Sequence, residues 1–180
     1  YMGENCSDCA IGYHDEAGIC APNYVAGPLE VLEGASGNSA GFKGIAASMN
    51  YNRKSAAAVM LDDGRVLITG GYTSAAESST AEIFDPATNT WTPTAGNMSQ
   101  VYQSHSAVRL YDGTVLITPG ANHTTCELFD PDTGLFTSMS VNTLNGENRA
   151  SILGNGNVLI TGGHRPSHAS KTSEVYDVAS

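Results

Sequence analysis

Asp63-Gly64-Arg65-Val66-Leu67-Ile68-Thr69-Gly70-Gly71 is written three times in this chain, returning as Asp112-Gly113-Thr114-Val115-Leu116-Ile117-Thr118-Pro119-Gly120 and as Asn155-Gly156-Asn157-Val158-Leu159-Ile160-Thr161-Gly162-Gly163. Val66 to Val115 is a step of 49 residues and Val115 to Val158 a step of 43, the size of one supersecondary unit in a repeat protein. A second landmark keeps the same step: Ala81-Glu82-Ile83-Phe84-Asp85-Pro86, Cys126-Glu127-Leu128-Phe129-Asp130-Pro131 and Ser173-Glu174-Val175-Tyr176-Asp177. An aromatic follows the Asp by six positions in the two complete units, Trp91 and Phe136, and a methionine closes each unit at Met49, Met98 and Met139.

Working outward from these landmarks, each unit reads as four short strands, A to D, separated by turn signals. Strand A is expected over 55–61, 104–110 and 149–153. The Asp-Gly and Asn-Gly dipeptides then predict tight A–B hairpins of type I′, with positive φ at both central residues. Strand B, Val-Leu-Ile in all three copies, is a near-continuous apolar run and therefore predicts a strand buried on both faces. Strand C carries the Glu-apolar-aromatic-Asp pattern. The Asp-Pro after it starts a turn into strand D, which bears Trp91 or Phe136. The fold class is all-β, about three four-stranded antiparallel blades.

These residues resemble kelch repeats, in a form common in bacterial proteins and similar to the propeller of galactose oxidase-like enzymes. The resemblance rests on the Asp-Gly turns, Val-Leu-Ile-Thr-Gly-Gly, Ala-Glu-Ile-Phe-Asp-Pro with Trp91, and Ser104-His105-Ser106-Ala107-Val108, and it covers roughly residues 44–178. It implies a β-propeller, which closes with about four to eight blades. Three units are too few, so further blades of the parent chain are expected beyond Ser180. Residues 44–49 match a lone D strand, and the last unit stops after its C strand, an arrangement suited to ring closure by strand exchange.

The first twenty residues hold Cys6, Cys9 and Cys20, while Cys126 stands alone in a C strand, where a buried and inert thiol is expected. The spacing leaves open a disulfide knot or a zinc set of Cys6, Cys9, His14 and Cys20. Cys6 to Cys20 also resembles the tail half of an epidermal-growth-factor-like module. That resemblance implies a disulfide between Cys9 and Cys20 and a partner for Cys6 outside this stretch. The domain expectation is thus a cysteine-rich tail at 1–20, a Gly/Ser-rich linker at 21–43 and a partial propeller at 44–180.

Charge narrows the function. Eight Lys and Arg stand against 18 Asp and Glu, a formal net charge of −10, which offers no basic footprint for nucleic acid. No apolar run approaches the roughly 18 residues of a membrane helix. Clustered cysteines with an acidic, Gly-rich composition suggest a secreted or cell-surface protein.

The B–C and D–A connections are expected on one end of the propeller and the Asp-Gly and Asp-Pro turns on the other. Function is expected on the longer connections, with Tyr72, Tyr102, His123, His164, Arg165 and His168 as candidate contacts to an extracellular protein or glycan, since aromatic and Arg side chains are frequent interface anchors. His105 is expected to be structural. No metal, cofactor or catalytic residue is expected: the chain lacks a phosphate-cradling Gly loop, a Gly-x-Ser-x-Gly elbow, spaced calcium ligands and the boxes of a sialidase. The alternative is the propeller of a galactose oxidase-like copper enzyme whose active-site blades lie elsewhere. A Tyr-His pair, which that resemblance would require for copper, occurs only at Tyr13-His14.

Overall fold

A computed structural model describes residues 47–178 except 75, 121–122, 143–145, 166–167 and 170; at 140–142, 164–165 and 168 only the backbone is described. The cysteines Cys6, Cys9 and Cys20, the linker and residues 44–46 lie outside the described residues. Among the described residues there are strands and turns and no helix.

The first sheet is β1 (Ala57–Met60), β2 (Val66–Thr69), β3 (Ala81–Asp85) and β4 (Thr90–Pro93), hydrogen-bonded in that order. The second repeats it with β5 (Ser106–Arg109), β6 (Val115–Thr118), β7 (Thr125–Asp130) and β8 (Leu135–Asn142). The third holds β9 (Arg149–Ile152), β10 (Val158–Thr161) and β13 (Ser173–Tyr176), the A, B and C strands of the last unit. All pairings are antiparallel. The sheets therefore fit the blades read from the repeat, four, four and three strands in turn. The A strands β1, β5 and β9 pack next to one another, so they form the inner edge of the array.

Burial follows from stacking. The central B strand, β6, is buried along its whole length. Its odd residues Val115 and Ile117 join Phe129 against Leu61, Leu67, Ala81 and Ile83 of the first sheet. Leu116, with Leu110 and Cys126, packs instead on Val158 and Ile160 of the third. In β2 and β10 only alternate residues are buried, Leu67 and Thr69 in one and Val158 and Ile160 in the other. A strand with two sheet neighbours needs an apolar residue on both faces, and the same sequence in the outer sheets has one face filled by a described neighbour. Cys126 is buried, as expected.

Four local expectations are corrected. The A–B hairpins are not type I′: only Gly64, Gly113 and Gly156 have positive φ, at 85°, 89° and 90°, while the residue before each does not. Gly64 N–H donates to Leu61 O and Leu61 N–H to Arg65 O, a pattern repeated around Leu110 and Leu153. This is a type I turn closed by a left-handed glycine, a three-residue loop. The side chain selects it, because Asp63 Oδ1 accepts Arg65 N–H at 3.0 Å, Asp112 Oδ1 accepts Thr114 N–H at 3.0 Å, and Asn155 Oδ1 accepts Asn157 N–H at 3.1 Å.

Strand A also begins later than expected in the first two sheets. Ser55 and Ser104 have φ of 55° and 54°, and Glu147, one repeat on, has 53°, so the chain turns left-handed before the ladder begins. Finally, residues 47–49 form no strand, and the connection after β10 is no simple loop. It carries a two-stranded hairpin of β11 (His164–Arg165) and β12 (His168–Ala169).

The glycine pair that ends strand B has a packing role. Gly70 has φ 57°, and a Cβ there would overlap Tyr102 O of the following sheet, whose carbonyl accepts Gly71 N–H at 2.7 Å. Gly120, like Gly71, lies against the chain that leads into its own A strand, with no room for a Cβ beside Gln103 O. Glycine at these places lets the connection between sheets lie directly on the B strand.

Candidate interaction surface

Two ends of the blade stack differ in construction. One end carries the A–B and C–D turns, each closed on itself by a capping side chain. Asp85 Oδ1 accepts Ala87 N–H and Asp130 Oδ1 accepts Asp132 N–H, at 2.8 and 2.9 Å. These amide donors, chiefly, hold both carboxyls below the ordinary carboxylate value. The other end carries the longer B–C and D–A connections and is called the loop face below.

The D–A connections are latched by the C-strand glutamates. Glu127 is fully buried and accepts Ser99 N–H and Ser99 Oγ–H at 3.0 Å. Glu82 takes Asn50 N–H at 2.7 Å, the Asn50 amide at 2.8 Å and Arg53 at 3.0 Å. Arg53 in turn reaches Gly70 O and Thr80 O at 2.8 and 2.9 Å. Tyr102, 49 residues on, does the equivalent work with a phenol, donating to Thr125 O at 2.8 Å.

Tyr102 is therefore no surface contact. It is fully buried between the first two sheets, and burial, helped by the Glu127 carboxylate, raises its phenol above the ordinary value. Its ring meets His123 edge-on with centroids 5.3 Å apart, which leaves His123 half-buried on the loop face. Tyr72 is also half-buried; its backbone bridges Lys54 and Glu77, and Lys54 Nζ stands 5.0 Å from its ring centroid. His164, Arg165 and His168 lie on the hairpin of the third sheet, with Arg165 opposite His168. Of the six candidate contacts, the described ring contacts join only Tyr102 to His123.

Sequence reasoning missed Lys54, Glu77, Gln103 and Arg149. Gln103 Nε2 donates to Glu77 Oε1 at 2.7 Å and ties the first sheet's B–C connection to the chain that enters the second. Arg149 is exposed at the loop-face end of β9. The repeat step itself was the available signal, because Lys54 and Gln103 are 49 residues apart and occupy one place in successive units.

His105 is structural, as expected. It is 5% exposed, and its Nε2 shares a 2.7 Å hydrogen bond with Thr69 Oγ1 of the neighbouring sheet, while Nδ1 has no described partner. Burial, and secondarily Arg149, pulls its pKa from 6.5 to about 4. The folded state thus favours the neutral ring: the stability this gives is present above pH 6.5 and is lost as pH falls toward 4. About 2 kcal/mol of stability should go between pH 7 and pH 5 through this residue alone. Urea unfolding of the protein and of H105N at both pH values checks it, and an equal pH dependence in the two would refute the assignment.

Among the described residues no three of His, Cys, Asp and Glu gather as metal ligands. The Thr69–His105 pair is buried. A cleft of about 430 Å³ lies between residues 47–52 and Trp91, and one of about 300 Å³ lies at the outer rim between β4 and the turn at 131–134. Neither involves Lys54, Tyr72, His123 or Arg149.

Compared with known proteins, residues 53–98 match the family model of the Kelch motif, the span from Arg53 through all four strands of the first sheet to Met98. No curated protein matches the chain.

Proposed function

From the premise that this chain is built of kelch-repeat propeller blades, a motif of protein-interaction modules, we propose that it recognises an extracellular protein or glycan through its loop face. One observation carries the reading: the turn end is closed by short capped turns, whereas the loop face has long connections with half-buried aromatic rings, exposed polar side chains and, among the described residues, no deep cleft. Shallow surfaces of this kind suit macromolecular partners, while small molecules favour enclosed pockets. The extracellular setting is supported by the crowding of Cys6, Cys9 and Cys20 in an acidic chain.

Tyr72, His123, His164, Arg165 and His168 are the contacts of this reading, and Tyr102 supports His123 from beneath. Replacing those five by alanine is expected to abolish capture of partners displayed on a protein or glycan array while leaving the unfolding midpoint within the range of ordinary surface changes, about ±0.5 kcal/mol each. Unchanged capture by the alanine set would refute the loop-face assignment. Hits confined to the protein or to the glycan array decide between the two partner classes.

A further inference from the structure

The turn chemistry sorts charge between the two ends. Asp62, Asp63, Asp85, Asp112, Asp130 and Asp132 all lie on the turn end, and four of them are there because an Asp side chain caps the turn. Among the described residues that end has two basic ones, Arg65 and Arg109, already paired with Asp63 and Asp62. The loop face contains no described Asp. It carries Lys54, Arg149 and Lys171, all exposed, and Arg165 on the β11–β12 hairpin. Its described carboxylates outside the strands are Glu77, which already accepts the Gln103 amide, and Glu147, while Glu82, paired with Arg53, and Glu127, bonded to Ser99, lie buried beneath it. Among the described side chains of the loop face, three exposed cations, Lys54, Arg149 and Lys171, thus stand against one exposed carboxylate, Glu147, in a chain of net charge −10.

Distance keeps the two ends electrically separate. The shortest A and B strands have four residues, which rise about 13 Å. The Debye length is about 8 Å at 0.15 M ionic strength. A group docked on the loop face thus feels the nearby Lys and Arg while the Asp-rich turns are screened.

We infer that the loop face is selective for an anionic partner, an acidic stretch of a protein chain, which Lys54 and Arg149 contact beside the inner edge of the stack. Lys54 leads into β1 and Arg149 opens β9, so the two cations flank the inner strands from the first and third blades. Gln103, between them in the second blade, is neutral and already occupied by Glu77. The inference rests on the loop-face reading above and adds the chemistry of the partner.

A fluorescent ten-residue glutamate peptide and its lysine counterpart are the probes, followed by anisotropy against the intact protein. The glutamate peptide should bind more tightly than the lysine peptide and weaken steeply between about 0.01 M and 0.15 M salt. The double variant K54E/R149E should lose roughly tenfold or more in affinity for it, since rim charges act through steering and complementarity. D112N, at the turn end, should leave that affinity unchanged. Circular dichroism and the unfolding midpoint establish that each variant is folded. Preference for the lysine peptide, or equal glutamate-peptide binding by K54E/R149E, would overturn the inference. If the five-residue alanine set abolishes capture on the arrays while the charge reversal does not alter it, the loop-face reading stands and the anionic partner fails.

Discussion

Replacing Glu82 with alanine is expected to destabilise the protein by about 3–5 kcal/mol, the cost of breaking a buried ion pair by removing one partner. The side chains of Arg53 and Glu82 are 1% and 0% exposed, so the guanidinium would be left charged without a counterion. Asn50 N–H and Tyr51 N–H would lose their acceptor as well. Burial pushes the Glu82 carboxyl up, but the Asn50 amides and Arg53 outweigh it and hold the pKa below the ordinary 4.5. A depressed folded pKa means that the stabilisation is present above pH 4.5 and is lost as pH falls through the lower folded value. Removing both partners, as R53M/E82L, should cost less than E82A, because no unpaired charge remains. Urea unfolding of the three proteins at pH 7 tests this order. If E82A unfolds at the midpoint of the parent, the latch contributes nothing to stability.

The latch also marks the boundary of what the sequence made legible. Blade strands and their order could be read because each carries its own signal: apolar Val-Leu-Ile in B, Asp-Gly after A, and an aromatic on C and D that meet as Phe84–Trp91 and Phe129–Phe136, with centroids 5.0 and 4.8 Å apart. Contacts between blades had no such local signal. Tyr102 sits in a polar connection and reads as a surface aromatic, yet stacking buries it completely. Arg53 and Tyr102 share one structural place with different chemistry, so neither residue type announces the role. Ser55, Ser104 and Glu147 share a left-handed backbone although none is glycine, because the geometry is imposed by the chain crossing from one sheet to the next. On the loop face, His123, Tyr72 and the hairpin residues were recognised as candidates by type. Lys54 and Arg149 were missed because a lone basic residue beside a strand carries no pattern of its own.

Phe129 to alanine should cost about 3–5 kcal/mol, the usual range for a large aromatic removed from a packed core. Phe129 is 0% exposed, is paired across the ladder with Phe136, and belongs to the cluster that joins the first and second sheets. Phe84 occupies the same place one repeat earlier and pairs with Trp91 in the same manner. It is only half-buried, because among the described residues no sheet packs on that side of the first blade. F84A should therefore cost less, about 1–2 kcal/mol, in proportion to the apolar surface its ring keeps from water. The comparison isolates stacking from intrinsic strand preference, since residue type, strand position and cross-strand aromatic partner are matched. Unfolding of F129A and F84A in urea measures the difference directly. Losses of equal size, both near the upper figure, would mean that a further sheet covers Phe84 in solution as the first sheet covers Phe129, whereas small losses in both would mean that the seam between blades does not carry the stability assigned to it.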